Sequence, residues 1–180
     1  MASLKSYTHE RLEAFAHSVF LKIGLSPEDA AQAAAVLLAA DLRGIDSHGV
    51  ARLKNYVRLI EIGRANPAPR MTVEHETPGT ATLDADRALG LVAAPRAMAM
   101  AVEKAKPAGT GGVAVSNSHH FGIASYHATL ALRHDMIGLA MTNASPLVAP
   151  TFSRDRMLGT NPISVAVPAA TQPPFVMDMA

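Results

Sequence analysis

Ser47, His48, Arg52 and Tyr56 stand in one short run, Ser47-His48-Gly49-Val50-Ala51-Arg52-Leu53-Lys54-Asn55-Tyr56. His48, Arg52 and Tyr56 recur every four residues, so on a helix they would fall within roughly an 80° arc. An imidazole, a guanidinium fork and a phenol on one face suit a small carboxylate better than an apolar core. Ser47 precedes them, placed to cap the helix and to offer its hydroxyl outward. The plain alternative is an exposed polar helix face with Ser47 as an ordinary cap, and spacing alone does not separate the two. A second cluster, Ser116-Asn117-Ser118-His119-His120-Phe121-Gly122, lies between an expected strand and an expected helix. Strand ends of this kind are where α/β folds collect ligands. A histidine there has an unperturbed pKa near ~6.5 and can move a proton at neutral pH. Gly122 permits close backbone approach, and the next helix offers N–H groups to a phosphate. A histidine that only caps a loop is the competing reading. No metal site is expected, because adjacent histidines project in different directions and no His-Glu-x-x-His spacing occurs.

The elements that must position these groups follow from apolar spacing and punctuation. Leu12, Phe15, Ala16, Val19, Phe20 and Ile23 recur at helical spacing, which predicts an amphipathic helix over residues 8–23 ended by Gly24. Ser26 caps a second helix, with Pro27 at its first position and Glu28 and Asp29 in its first turn, running to about Arg43. The third helix carries the His-Arg-Tyr stripe from near Ser47 to near Gly63. Together they make a three-helix N-terminal lobe, residues 1–68, closed by the rigid Asn66-Pro67-Ala68-Pro69. Residues 69–180 change pattern. Strands are expected at 71–76, 80–84, 112–116, 137–142, 163–167 and 175–179, and helices at 91–106 and 123–134. Pro95 should lie in the first turn of its helix or kink it. Strand and helix alternate, so this half reads as α/β.

Composition narrows the function classes. Of 180 residues, 49% are apolar, 17% charged and 4% aromatic, a globular composition rich in alanine. Net charge is +1 and the basic residues form no block, which argues against nucleic acid or an anionic membrane as partner. There is no cysteine, so disulfides, thiolate nucleophiles and cysteine-ligated zinc are excluded. The start, Met1 to Ser6, lacks the apolar core of a secretory signal, and the apolar run Ala33 to Ala40 is too short to span a bilayer. A cytoplasmic protein is the expectation. Phe175 to Ala180 reads as a buried strand that ends without a polar tail, which suggests a truncated sequence.

Taken together these segments resemble the malate/L-lactate dehydrogenase family, which includes ureidoglycolate and sulfolactate dehydrogenases and piperideine-2-carboxylate reductases. Four motifs in order carry the resemblance. They are Asp41 to Gly49 with Arg52 and Tyr56, then Asn117 to Gly122, Gly159-Thr160-Asn161-Pro162, and Asp178-Met179-Ala180. The resemblance implies a mixed-sheet nicotinamide-binding domain that is not a Rossmann fold, NAD or NADP as cofactor, and a homodimer acting on a small carboxylate. The lack of any Gly-x-Gly-x-x-Gly agrees, since Gly109-Thr110-Gly111-Gly112 precedes a strand and reads as a turn. It further implies His120 as the catalytic acid/base, with Ser47, His48, Arg52 and Tyr56 binding or polarising the substrate. The dinucleotide would be held by His120, Phe121, Gly122, Ile123 and Ala124, by Asn143 and Ala144, by Gly159, Thr160, Asn161 and Pro162, and by Asp178, Met179 and Ala180. Family chains are close to twice this length, and the other half carries further cofactor contacts, including a lysine. Ala144 stands where some relatives carry a hydroxyl. The implied reaction is hydride transfer between nicotinamide and a 2-hydroxy or 2-oxo acid. Reduction of a cyclic imine and an inactive fragment or non-catalytic binding module stay open as alternatives.

Overall fold

Thr8 opens the first helix, α1 (His9–Lys22), by accepting a hydrogen bond from the Arg11 N–H. The computed structural model describes residues 6–179, which fall into two units, one ending at Gly122 and the other beginning at Ile123. Of the apolar stripe on α1, Ala16 and Phe20 are buried and Phe15 is exposed. Helix α2 (Pro27–Asp41) starts as expected, with the Ser26 hydroxyl accepting from the Asp29 N–H at 3.1 Å and Pro27 in its first turn. It buries Ala30, Ala33, Ala34, Val36, Leu37, Leu38 and Ala40. Alanine lets α1 approach closely, and burying Leu37 and Leu38 contributes roughly 1.5–3 kcal/mol each.

The third helix departs from expectation. In place of one helix from Ser47, two 3₁₀ turns (Asp46–His48 and Val50–Arg52) precede α3 (Leu53–Glu61). The break is at Gly49, whose backbone is extended at φ −85° and ψ −150°. Its cause lies at the end of α2. The Asp41 carboxylate accepts the Val50 N–H at 2.9 Å and fills the space a Gly49 Cβ would need.

Strands β1 (Thr72–Glu76), β2 (Thr80–Asp84) and β3 (Gly112–Ser116) form one sheet in that order. β1 is antiparallel to β2, and β2 is parallel to β3 through the crossover helix α4 (Gly90–Ala108). α4 runs on through Pro95 in its second turn, not the first, and ends at Gly109 in the left-handed region, φ +79°. The Gly109-Gly112 run is therefore a helix exit and turn, as read. Buried Asp29 of α2 is paired with Arg96 of α4, the partner a buried carboxylate requires. Lys104 of α4 donates to Glu76 Oε1 at 2.7 Å and to the Thr77 carbonyl at 2.8 Å. The helices up to residue 68 and the first sheet thus share one unit, because α4 is fastened to both.

In the second unit, α5 (Ala124–Thr129) continues into a 3₁₀ turn, Leu130–His134, where one longer helix was expected. It packs on β4 (Gly138–Met141), β5 (Ile163–Val167) and β6 (Phe175–Met179) around Ala128, Ala140 and Ala166. Both pairings here are antiparallel, with Leu139 opposite Val165 and Val165 opposite Met177. The expected mixed sheet is thus two three-stranded sheets, the first mixed and the second antiparallel. Strand pairing was not readable because alternation identifies a strand's faces and not its neighbours.

Candidate active site

His120 sits in the loop that leaves β3, and that loop is fixed at three points. Asn117, at φ +50°, donates from its amide to Asp84 Oδ1 at 2.9 Å, and its carbonyl accepts the Arg87 N–H at 2.8 Å. The Asp86 N–H and the Asn117 amide hold the Asp84 carboxyl below the usual carboxylate range. His119 Nε2 donates to the Arg64 carbonyl at 3.0 Å, just beyond α3. Finally, the start of α4 lies against the loop so tightly that a Cβ on Gly90 would overlap the His119 carbonyl. His119 is thereby committed to structure, and His120 is the histidine that lines a cleft.

The cleft measures about 220 Å³ and is lined by Arg52, Asn55, Tyr56, Arg58, Leu59 and His120. That is below the ~300–1,000 Å³ of drug-sized sites, so it suits a molecule of a few heavy atoms. Tyr56 is buried, its ring 6.5 Å from that of Phe20, and its hydroxyl lies 2.7 Å from His120 Nδ1. The Gly122 N–H donates to the same Nδ1 at 3.2 Å. A backbone N–H can only donate, so Nδ1 is the acceptor nitrogen, the Tyr56 hydroxyl donates to it too, and the neutral ring carries its hydrogen on Nε2. Burial, then Arg52, then His48 push the His120 pKa down from 6.5 to about 4. Burial also raises the Tyr56 pKa well above 10, partly offset by Arg52.

The four residues of the first run gather here by a route other than a helical stripe. Ser47 is not the cap of α3, a position held by Arg52; its hydroxyl instead lies 3.0 Å from His48 Nδ1. The His48 ring stacks on His120 with centroids 5.4 Å apart. Arg52 Nε donates to the Ser47 carbonyl at 2.7 Å, which folds the guanidinium back over the turn. Tyr56 faces His120 rather than pointing outward from an exposed face. Sequence reasoning missed Asn55, Arg58 and Leu59, which share the cleft, and gave no role to Asp41, which holds the turn carrying Arg52. The helical repeat at Asn55 and Leu59, each adjacent to the stripe, was the available signal.

The remaining expected residues are placed as follows. Phe121 and Gly122, the latter at φ +84°, complete the His120 loop. Ile123 caps α5 and Ala124 begins it, both buried. Asn161, at φ +45°, accepts the Ala144 N–H at 2.9 Å, and Gly159 packs against the Ala144 carbonyl. The Pro162 carbonyl accepts the Thr142 N–H at 3.3 Å, so residues 143–144 and 159–162 are one tied structure. Asp178 Oδ2 accepts the Ser125 N–H at 2.8 Å at the start of α5, and Met179 is exposed on β6. Ala180 lies outside the described residues. Among the described residues no three His, Cys, Asp or Glu side chains group as metal ligands, and no helix is long and apolar enough to cross a membrane.

Comparison with known proteins gives a consistent answer. The chain is 49% identical over 171 residues to a malate dehydrogenase of Pyrococcus abyssi, covering 95% of this chain and 47% of that protein. It is 43% identical over 162 residues to an L-sulfolactate dehydrogenase of Methanocaldococcus jannaschii, covering 90% and 47% respectively. The structure of a malate dehydrogenase from Pyrococcus horikoshii superposes with a TM-score of 0.93 at 46% identity, covering 98% of this chain and 53% of that one. The chain spans about half the length of the curated relatives it matches. The malate/L-lactate dehydrogenase family model matches residues 7–180, and with these likenesses the chain belongs to that family.

Proposed function

We propose that the protein is an oxidoreductase moving a hydride between a nicotinamide cofactor and a small 2-hydroxy or 2-oxo acid. The observation that carries this reading is the His120 Nδ1 held by both the Tyr56 hydroxyl and the Gly122 N–H in a cleft that also contains Arg52. Relatives named for malate and sulfolactate, both 2-hydroxy acids, support the same class.

Each residue then has a role. With Nδ1 occupied, Nε2 is the nitrogen that meets the substrate oxygen. In the reducing direction Nε2–H donates to the carbonyl oxygen, and its proton passes to that oxygen as alkoxide character develops. The Tyr56 hydroxyl passes its proton to Nδ1, which keeps the ring neutral; a solvent proton then reaches Nε2 through the cleft and Nδ1–H returns its proton to the phenolate, restoring the starting tautomer. Oxidation runs the same steps backwards. A phenol whose pKa is raised by burial keeps its proton until a base as strong as an alkoxide appears, so the pair is matched to this transfer. Arg52 grips the substrate carboxylate through its terminal nitrogens, a planar fork that matches it bidentately. His48, oriented by Ser47, stacks on the imidazole of His120 and holds its plane.

The nicotinamide supplies or accepts the hydride when bound. The residues expected to hold it fit a dinucleotide in kind. Asn143 and Thr160 present an amide and a hydroxyl with no side-chain partner among the described residues, groups that suit ribose hydroxyls and a carboxamide. Residues 120–124, 143–144, 159–162 and 178–180 are the proposed cofactor contacts, with NAD and NADP both compatible. The division into a substrate-binding segment, 1–68, and a dinucleotide-binding segment, 69–180, in a cytoplasmic homodimer, belongs to the same proposal. The test is to assay the full-length protein with NADH and NADPH against 2-oxo acids and a cyclic imine carboxylate. Oxidation of either nucleotide dependent on a 2-oxo acid is expected. Turnover of the imine alone would overturn the assignment.

A further inference from the structure

Asp86 and Arg87 are consecutive left-handed residues, at φ +49° and +60°, in the turn that follows β2. Aspartate tolerates that conformation through its short polar side chain, whereas for arginine it is uncommon and costs energy. Such backbone persists only where the surroundings over-determine it. Here they do. The Arg87 N–H donates to the Asn117 carbonyl at 2.8 Å, and the Arg87 carbonyl accepts the Asn66 N–H at 2.9 Å. One residue thus joins the loop that carries His120 to the segment that leaves α3. Its guanidinium adds a third tie, Nη1 donating to the Gly63 carbonyl at 3.1 Å. Asp86 locks this turn from both sides. Its Oδ2 accepts the Asn66 amide at 2.8 Å and the Arg70 N–H at 2.9 Å. Its own N–H donates to Asp84 Oδ1 at 2.8 Å, the oxygen that also takes the Asn117 amide.

Tyr56 lies on α3, upstream of Asn66, and His120 follows Asn117 in the same loop. Their hydrogen bond, 2.7 Å from the hydroxyl to Nδ1, therefore closes a ring whose opposite side is this turn. We propose that Asp86 is a positioning residue of the proton relay: by locking the left-handed turn at Arg87, it holds α3 and the His120 loop at the separation that the Tyr56–His120 bond requires. Asp86 is outside the cleft lining and acts through those two side chains. The His119–Arg64 bond runs beside this tie, so losing Asp86 loosens the loop without releasing it. The inference rests on the hydroxy-acid reading above and adds the device that sets its relay geometry.

The test uses the full-length protein carrying Asp86→Gly, Asp86→Asn, Tyr56→Phe and the pair Asp86→Gly with Tyr56→Phe. Glycine adopts a positive φ without steric cost, so Asp86→Gly removes the carboxylate and leaves the turn allowed. Asparagine also tolerates the left-handed region, and both side-chain donors meet one oxygen, so its carbonyl can accept them. Asp86→Gly should lower kcat for 2-oxo acid reduction by about 10–100-fold, the cost of a misplaced reacting group, with KM within about threefold. Asp86→Asn should restore kcat to within about threefold of the wild type. The pair should cost no more than Tyr56→Phe alone, because both changes break the same bond. The ¹⁵N resonance of His120 Nδ1 should shift in Asp86→Gly in the direction that Tyr56→Phe shifts it. Additive losses in the pair, an unchanged kcat in Asp86→Gly, or Asp86→Asn as damaging as Asp86→Gly overturns the inference. If Asp86→Gly lacks native circular dichroism, Asn66→Ala, which removes the amide tie from its other end, is read in its place by the same criteria. If the wild type reduces no 2-oxo acid, the dehydrogenase reading fails, and the Nδ1 resonance alone decides for Asp86. A shift matching that of Tyr56→Phe upholds the positioning role, and an unmoved resonance removes it.

Discussion

Tyr56→Phe isolates one atom. The phenyl ring keeps the packing against Phe20 and the buried volume, while the hydroxyl that lies 2.7 Å from His120 Nδ1 is removed. Nδ1 keeps the Gly122 N–H, so it is not left bare, and the stability cost should be that of one ordinary hydrogen bond, about 0.5–1.5 kcal/mol. The catalytic cost should be larger, because the phenol supplies the proton that replaces the one His120 gives up. Losing a positioned proton source costs roughly 10²-fold or more in turnover. Since the hydroxyl faces the imidazole and not the open cleft, substrate KM should move little. Steady-state kinetics in both directions give the split, and ¹⁵N NMR of His120 reads the tautomer independently. The hydrogen on Nε2 should persist in the variant, held there by Gly122. A raised KM with unchanged kcat would mean that Tyr56 touches substrate after all, and the relay would be wrong.

Other expectations follow from the same geometry. His120→Ala should lower kcat roughly 10²–10⁴-fold. His119→Ala, whose ring only donates to the Arg64 carbonyl, should lower thermal stability and leave most of the turnover; the reverse ranking would exchange the two roles. Asp41→Ala removes the acceptor of the Val50 N–H and should lower stability by about 1 kcal/mol and raise substrate KM through Arg52, measured by thermal melts and kinetics. Gly49→Ala should do the same more severely, because its Cβ would overlap the Asp41 carboxylate. The pH dependence of stability has a definite sign. His120 is pushed down to about 4 in the fold from an ordinary 6.5, so the unfolded chain binds more protons between those values. Stability should therefore fall as pH drops from about 6.5 to 4, and His120→Ala should flatten that slope in denaturant titrations.

The local chemistry of the chain was legible and the long-range pairings were not. Ser26-Pro27-Glu28 announced a helix start because caps and dipole preferences act within one turn. The four-residue spacing of His48, Arg52 and Tyr56 pointed to side chains that the fold gathers around His120, through a wrong local structure. Gly49 interrupts the helix only because Asp41, eight residues earlier, occupies the space beside it. The partner of Tyr56 is 64 residues away, so no window of sequence contains that bond. Arg58 escaped notice because it lies off the stripe; in the fold it is exposed and still borders the cleft. For the sheets, alternation marked every strand, while the split into a mixed and an antiparallel sheet depends on neighbours that alternation does not name.

Hydride transfer to a 2-oxo acid, with His120 moving the proton, is open to direct measurement. The measurement supplies NADH or NADPH carrying two deuteriums at C4 of the nicotinamide ring to the full-length protein with oxaloacetate, and examines the product by NMR. Deuterium should appear on the carbon bearing the new hydroxyl, at a rate that collapses in His120→Ala. Product without deuterium, or undiminished transfer in His120→Ala, would contradict it.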